Sequence, residues 1–391
     1  MDRGRGIGVA LAGALAGAML AGTACEGEGS SAPHHLYVSQ TATGSVAVID
    51  PASGETVRRI PVGMLPHQLL ATPSGTLLVV LTGSQAVAEL DPATATVRRT
   101  FLTGPVPEAR DDGTRIEGHF TQGAFTRTSC ADCHGAPGGP LPRYAGERPF
   151  ALLVSADGRR LLVAHVRSGV LAELDLASGA VLRRIPLAPA GEAREAVALA
   201  RAGDEVLVAL RPTPPSTAPA VIRRLDAASL EPRGDVLVGS DPGALLAADG
   251  RALVSNFEAD TITPVGPAGA GAPLTVAPGP MGLTPLPGGE VLVMGHYSDA
   301  VSRLDPALGT ARTAPLQGQG RRYPNPTHAA LSPDGRTAYV VSGGTDGHLL
   351  DLDPDRLEVR RAFPIDGLSF DVAVVPGPPP RATGTRTQEH R

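Results

Sequence analysis

Residues 46–60 read VAVIDPASGETVRRI: an apolar strand that closes on Ile-Asp, a turn, and a second strand carrying a pair of arginines. Two stretches repeat it closely, VAELDPATATVRRTF at 87–101 and LAELDLASGAVLRRI at 171–185. Looser copies are VIRRLDAASLEPR at 221–233, VSRLDPALGTAR at 301–312 and LLDLDPDRLEVRR at 349–361. The turn chemistry is legible: Asp at the first turn position accepts a local backbone hydrogen bond, and a following Pro fixes φ for a type I turn. A second pattern precedes each copy, an apolar strand, a Gly-containing turn and a strongly apolar strand. It is clearest in QLLATPSGTLLVVL from Gln68, ALLVSADGRRLLVAH from Ala151, GLTPLPGGEVLVMG from Gly282 and AALSPDGRTAYVV from Ala329. Four short strands in a unit of about forty to fifty residues are the signature of a propeller blade.

The spacing of the marker Asp counts the blades. Asp50 to Asp91 is 41 residues, Asp175 to Asp226 is 51 and Asp305 to Asp353 is 48. Asp226 to Asp305 is 79, two blades with one degenerate marker near Val265. Innermost strands are then expected to start near His67, Phe150, Glu195, Gly243, Met281 and Thr327, with a seventh from Ser369 in SFDVAVVP. That last strand has no chain left for outer partners, and residues 36–62 supply three outer strands without an inner one. The two ends are expected to complete one blade together, which closes the ring and removes its exposed edges. The fold expected is all-β, a seven-bladed propeller over residues 36–376.

The segments LYVSQTATGSVAVIDPASGETVRRIPVG and LSPDGRTAYVV, with their copies, resemble the YVTN-type or YncE-like β-propellers of bacterial exported proteins. The resemblance spans residues 36–102 and 150–376. It implies the fold and little about function, because propellers host many unrelated activities.

One interval breaks the period. Asp91 to Asp175 is 84 residues, which leaves an excess of about 43 after one blade. It falls at 103–149, between the outermost strand of one blade and the innermost strand of the next, on a connection that crosses a propeller face. A long excursion in a regular array is where function concentrates. This one contains Cys130, Cys133 and His134 as CxxCH, the pattern of covalent c-type haem attachment. Two thiols can add across the two haem vinyl groups, and the two-residue spacer lets both reach one porphyrin edge. The adjoining His can then lie under the iron as proximal ligand. Other readings stay open. Thiols at this spacing can close as a disulfide in an oxidising compartment. A disulfide has no use for His134, however, and with 10 His in the chain one follows a given residue by chance only about one time in forty. A structural zinc site wants more ligands than His119 can add.

The stretch GHFTQGAFTRTSCADCHGAPGG also resembles the haem-binding segment of c-type cytochromes, in particular the insert of some propeller proteins related to di-haem peroxidases. On that resemblance Cys130 and Cys133 are the thioether positions and His134 is the axial ligand of one covalent haem c. The excursion is shorter than a usual cytochrome domain, it holds no Met, and the chain has no second CxxCH. This speaks against a free-standing cytochrome domain and a two-haem mechanism. Candidates for the distal iron position are His119 in the excursion and Met281 or His67 on the propeller. Aligned on their turn glycines, the blades place His67, Glu195 and Met281 at one level, with His328 close to it. These residues start innermost strands and are expected around one mouth of the central channel, as a water-filled polar funnel or as a ligand- or haem-facing site. His165 and His296 fall on second strands and read as ordinary blade residues.

The N-terminus reads as a signal peptide over 1–24. Arg3 and Arg5 give a positive start, and residues 7–20 form a run of apolar and small residues too short for a comfortable membrane span. The position of Cys25 resembles a bacterial lipoprotein signal, in which this Cys becomes the lipidated first residue; Gly22 stands where that family usually has Leu. The alternative is plain cleavage after Ala24. Residues 25–35 read as a tether and 377–391 as a disordered tail. An extracytoplasmic location follows, periplasm or cell surface, with membrane attachment only through the lipid. Gly 48 and Pro 38 favour short turns over long helices. All 34 basic residues are Arg, and a net charge of −5 offers nucleic acid no basic footprint.

The leading functional expectation is an exported haem protein that relays electrons to a partner protein, with the propeller as scaffold. No nucleophile–base pair stands out, which favours a carrier over a catalyst. The alternatives are a haem-free binding propeller with a disulfide-clamped loop, and a haem-dependent oxidoreductase acting on a small substrate at the channel mouth.

Overall fold

The structure, a computed structural model, describes residues 32–104, 147–189, 192–213, 218–248, 251–307, 309–344, 346–366 and 368–377. Cys25, His119, Cys130, Cys133 and His134 lie outside the described residues. The chain is a seven-bladed β-propeller. Blade 1 joins the two ends: Ser369–Pro376 is innermost, followed outward by His34–Gln40, Ser45–Ile49 and Thr56–Pro61. Leu36 stands opposite Val374 and Val38 opposite Val372, so the ring closes through the expected pairing. The other blades run in chain order from the inside out. Their innermost strands are Pro66–Ala71, Pro149–Val154, Arg194–Ala202, Pro242–Ala248, Pro280–Pro285 and Pro326–Leu331, numbered blades 2 to 7. Each starts one residue before the position read from the repeat. Among the described residues no helix is long and apolar enough to cross a membrane.

Blade 5 departs from the four-strand pattern. Its third strand, Thr261–Gly266, pairs with two fragments, Gly269–Ala270 and Leu274–Thr275, in place of one outer strand. A small ribbon, Gln317–Gly318 with Arg321–Arg322, precedes blade 7.

Alternation along each strand divides the apolar side chains between the two faces of a blade, so the core lies between blades. Seven clusters of buried residues correspond to the seven seams. Tyr37, Val46 and Val48 of blade 1 meet Leu77 and Val79 of blade 2, for example, and Leu78 and Val80 of blade 2 meet Leu161 and Val163 of blade 3. The marker aspartates close the outer turns as the sequence implies. The Asp50, Asp91, Asp226 and Asp353 carboxylates each accept a backbone N–H from two residues on at 2.9 Å.

In six of the seven blades an arginine latches the blade to the next. Arg99 pairs with Glu89 at 2.5 Å on its own blade and donates to the Leu176 carbonyl of blade 3 at 2.5 Å. In the same ladder position Arg183 pairs with Glu173 at 2.5 Å and reaches the Ser229 carbonyl of blade 4 at 2.8 Å. Arg361 pairs with Asp351 at 2.7 Å and reaches the Ala52 carbonyl of blade 1 at 2.9 Å. Blades 4 and 6 exchange the signs: Arg224 and Arg303 sit on the third strand and pair with Glu205, which opens the second strand, and with Glu290, just before it. These two still reach carbonyls of the next blade, Pro267 and Pro354. Blade 5 carries Thr-Ile-Thr-Pro-Val-Gly on that strand, and among its described residues no such latch forms.

Candidate functional site: the channel mouth and the stem of the excursion

All innermost strands begin at one face of the ring, and a single backbone device sets six of the seven starts. The residue just before the strand takes a left-handed conformation: Leu65, Arg148, Asp241, Gly279, Asn325 and Leu368, with φ between 52° and 68°. Its carbonyl accepts an N–H from the second loop of the same blade, as in Thr82 to Leu65 at 3.0 Å and Val166 to Arg148 at 2.8 Å. Proline follows in five cases, at the first strand position, where it removes no ladder hydrogen bond.

Just past each start the pairing register slips, for example between Pro66 and Leu69 and between Pro326 and Ala329. Such a bulge re-aims side chains at the rim. It brings two of the expected mouth residues together. His67, only 2% exposed, stacks on Phe370 with ring centroids 3.4 Å apart and tilts against Phe150 at 4.5 Å. Phe370 also meets His328 at 4.7 Å. His328 Nδ1 lies 3.3 Å from the Phe370 carbonyl. A carbonyl can only accept, so Nδ1 carries a proton, and it is Nε2 that holds the lone pair in the neutral form of the ring. Beside the stack, buried Asp371 accepts the Leu69 and Val372 amides at 2.9 and 2.8 Å. Burial pushes its carboxyl upward, against the pull of His328.

The other two expected mouth residues do not join this stack. Glu195 is held by Arg211 at 2.7 Å, and Arg211 also holds Asp241 at 2.6 Å. Burial opposes the Arg211 charge, yet the two carboxylates outweigh it and raise its pKa. Met281 is half-buried on the neighbouring start, its carbonyl accepting Ser255 Oγ at 3.2 Å. Its neighbour Gly282 packs so closely on the Thr327 carbonyl and His328 that a side chain there would collide with backbone. Phe370 and Phe150 were not singled out from the sequence as site residues, although both occupy the second position of an innermost strand, as His67 does. Among the described residues no group of three or more His, Cys, Asp or Glu is disposed to hold a metal ion.

The excursion joins the propeller at this same face, between Thr96–Leu102 and Pro149–Val154. Its two described ends are tied to the blades and to each other. The Thr103 amide donates to the Gln85 carbonyl at 3.0 Å, and the Arg167 amide to the Glu147 carbonyl at 3.1 Å. Arg184 donates to the Thr103 carbonyl at 2.9 Å and forms an ion pair with Glu147. His165, fully buried at the end of its second strand, meets Thr103 Oγ1 through Nε2 at 3.0 Å and the Val170 carbonyl through Nδ1 at 3.2 Å. Burial lowers its pKa to about 4 and Arg184 adds to the effect; the neutral ring accepts from the Thr103 hydroxyl. Hence His165 is more than a blade residue: it supports one foot of the excursion.

No protein-family model and no curated protein matches the chain. Solved structures do. A protein of unknown function from Desulfotomaculum acetoxidans superposes with TM-score 0.61 at 11% identity, over 88% of this chain and 99% of the other. Kuenenia stuttgartiensis hydrazine synthase gives 0.57 at 14%, over 88% and 92%. Dihydro-heme d1 dehydrogenase NirN in complex with DHE gives 0.55 at 16%, over 87% and 74%. At these identities the likeness is one of fold.

Proposed function

We propose that this protein is an exported c-type haem propeller that relays electrons to and from a partner protein. The observation that carries the reading is CxxCH at Cys130, Cys133 and His134, inside the one long excursion, whose described ends are anchored at the mouth face. The donor set suits the group: two thiols for the thioether links and an imidazole for the iron. Bound there, haem would supply one-electron chemistry. The chain's own part is to hold the group, orient it and limit its access to water. That one solved structure of the same fold is named for a haem substrate, the dihydro-heme d1 dehydrogenase, agrees with such a use of the scaffold.

The distal iron position is open to His119, Met281 and His67, and the mouth geometry adds His328. The His67 ring is buried against two phenylalanines, whereas His328 has Nδ1 engaged by a backbone carbonyl. A carbonyl accepting from Nδ1 in this way typically orients an imidazole that ligates through Nε2. Cys25 we assign to a lipid anchor; Cys25→Ser should move the protein from membranes to the soluble exported fraction.

The test is the purified exported protein. Covalent haem should survive acid extraction and give a c-type visible spectrum. Cys130→Ser and Cys133→Ser should each leave at most one thioether, so that haem is extracted or maturation fails, and His134→Ala should disturb the axial field. Absence of covalent haem under conditions that mature other c-type cytochromes would overturn the reading and leave the disulfide-clamped binding propeller in its place.

A further inference from the structure

We propose that Arg184 is a positioning residue that turns the two ends of the excursion into one stem. By their backbone bonds, the first foot belongs to blade 2, through the Thr103 amide and Gln85, and the second foot to blade 3, through Glu147, Arg148 and the 166–167 turn. Two side chains of blade 3 reach across to the described part of the first foot: His165, to the Thr103 hydroxyl, and Arg184, to the Thr103 carbonyl. Arg184 alone of the two also takes the Glu147 carboxylate. A guanidinium presents its N–H groups in a rigid planar fork, so one residue fixes two acceptors at a set separation. The stem is tight: a Cβ on Gly104 would come within 2.6 Å of the Glu147 carboxylate and 2.9 Å of the Arg184 guanidinium.

The equivalent residue on blade 1 shows what is special here. Arg59 occupies the same ladder position, opposite Ala47 as Arg184 is opposite Ala172. It too pairs with the acid on the connection entering its own blade, Asp366 at 3.1 Å. Its recorded partner there is that carboxylate; Arg184 has the carboxylate and the carbonyl of the departing strand. The stem therefore fixes where the segment bearing Cys130, Cys133 and His134 leaves the ring. Its consequence for haem rests on the proposed function, because solvent exposure and hydrogen bonding around a haem set its potential. The tie itself does not depend on that reading.

The experiment compares Arg184→Ala, Arg184→Lys and Arg59→Ala in the full-length exported protein. Amide hydrogen exchange of Thr103, Val166 and Arg167 reads the stem with or without haem. Arg184→Ala should speed exchange at these amides about tenfold while leaving exchange in the blade 5 and blade 6 strands unchanged. Arg184→Lys, which cannot span both acceptors, should fall between, and Arg59→Ala should change none of the three. In haem-loaded protein Arg184→Ala should also shift the midpoint potential and broaden the spectroscopic signature of the iron, with covalent haem content unchanged. Unaltered exchange at the three amides overturns the stem. Faster exchange with an unaltered potential and spectrum overturns its positioning role. A wild-type protein without covalent haem overturns the proposed function, and the exchange data then decide the stem by themselves.

Discussion

Two connections enter innermost strands by the same device and differ greatly in length. The short one runs from Pro364 to Ser369, between blades 7 and 1; the long one runs from Leu102 to Pro149, between blades 2 and 3. Both finish on a left-handed non-glycine residue, Leu368 at φ 58° and Arg148 at φ 57°. Both give that residue's carbonyl to a loop amide, Thr41 at 3.1 Å and Val166 at 2.8 Å. Both are gripped by an arginine of the same outermost-strand position, Arg59 and Arg184. The blade frame specifies the feet of a connection and leaves its length free. Loop-closure entropy grows only slowly with length, so a long excursion can be carried without altering the ring. What sets the long connection apart is polar: Arg184 holds both feet, and His165 stands where blade 1 has Gln40, each facing the first residue of its innermost strand.

The largest expected effect separates what closes the ring from what hangs on it. A chain ending at Pro364 loses Ser369–Pro376, and with it Phe370, Asp371 and the inner partner of His34–Gln40. The edge of His34–Gln40 would then be unpaired. The cooperative thermal transition should vanish. Joining Gly104 to Glu147 through a short Gly-Ser linker, which removes more residues than the truncation does, should keep the transition within about 4 °C of the parent. Calorimetry of both chains checks this, and a cooperative transition in the truncated chain would show that blade 1 does not need its C-terminal strand.

The next effect belongs to the long connection alone. His165 in the folded protein titrates near 4, below the ordinary 6.5, because the charged ring is buried. Over that window the unfolded chain binds the extra proton, so the contribution is intact above pH 6.5 and is lost as pH falls toward 4. The full loss is about 3 kcal/mol. His165→Gln, which borrows the residue of the short connection, should flatten this part of the stability curve. Denaturant midpoints at pH 7, 5.5 and 4.5 measure it; an unchanged slope in the variant would place the acid sensitivity elsewhere.

How much of this was legible follows from where the information sits. Asp50, Asp91, Asp226 and Asp353 act through bonds two residues away, so the turns, and with them six blades, could be read locally. Blade 5 kept its apolar alternation but lost the marker, and its divided outer strand left no local sign. His67, reached by counting back from a glycine, is the second residue of its innermost strand. His328 was not fully placed, since the bulge after each strand start breaks the alternation that such counting assumes. Glu195, expected at the same mouth, starts its innermost strand there and is engaged by Arg211 on a second strand, a pairing that no local pattern announces. The arginine pairs were visible, their division of labour was not. Adjacent strand residues face opposite sides of a blade, so Arg58 reaches forward to the Thr94 carbonyl of blade 2 while Arg59 reaches back to Asp366. Whether the first or second letter of a pair is the latch depends on ladder register: Arg183 is the first of its pair and Arg99 the second.

The smallest expected effect tests whether the arginine position itself, or what it holds, makes the long connection different. Arg59 and Asp366 are 52% and 37% exposed in their side chains, against 30% and 22% for Arg184 and Glu147. An exposed pair gains little Coulomb energy over its hydrated, separated charges and loses side-chain entropy on ordering, for a net of about 0–1 kcal/mol. Arg59→Ala should therefore lower stability by no more than that, and raising the salt from 0.05 to 0.5 M should erase most of the difference by screening. Arg184→Ala should cost more at either salt, because the buried Thr103 carbonyl loses a donor as well as Glu147 its partner. A double-mutant cycle on Arg59 and Asp366, set beside one on Arg184 and Glu147, resolves the two. Equal coupling energies would mean that the short and long connections are held alike, and that the added bond to Thr103 contributes nothing.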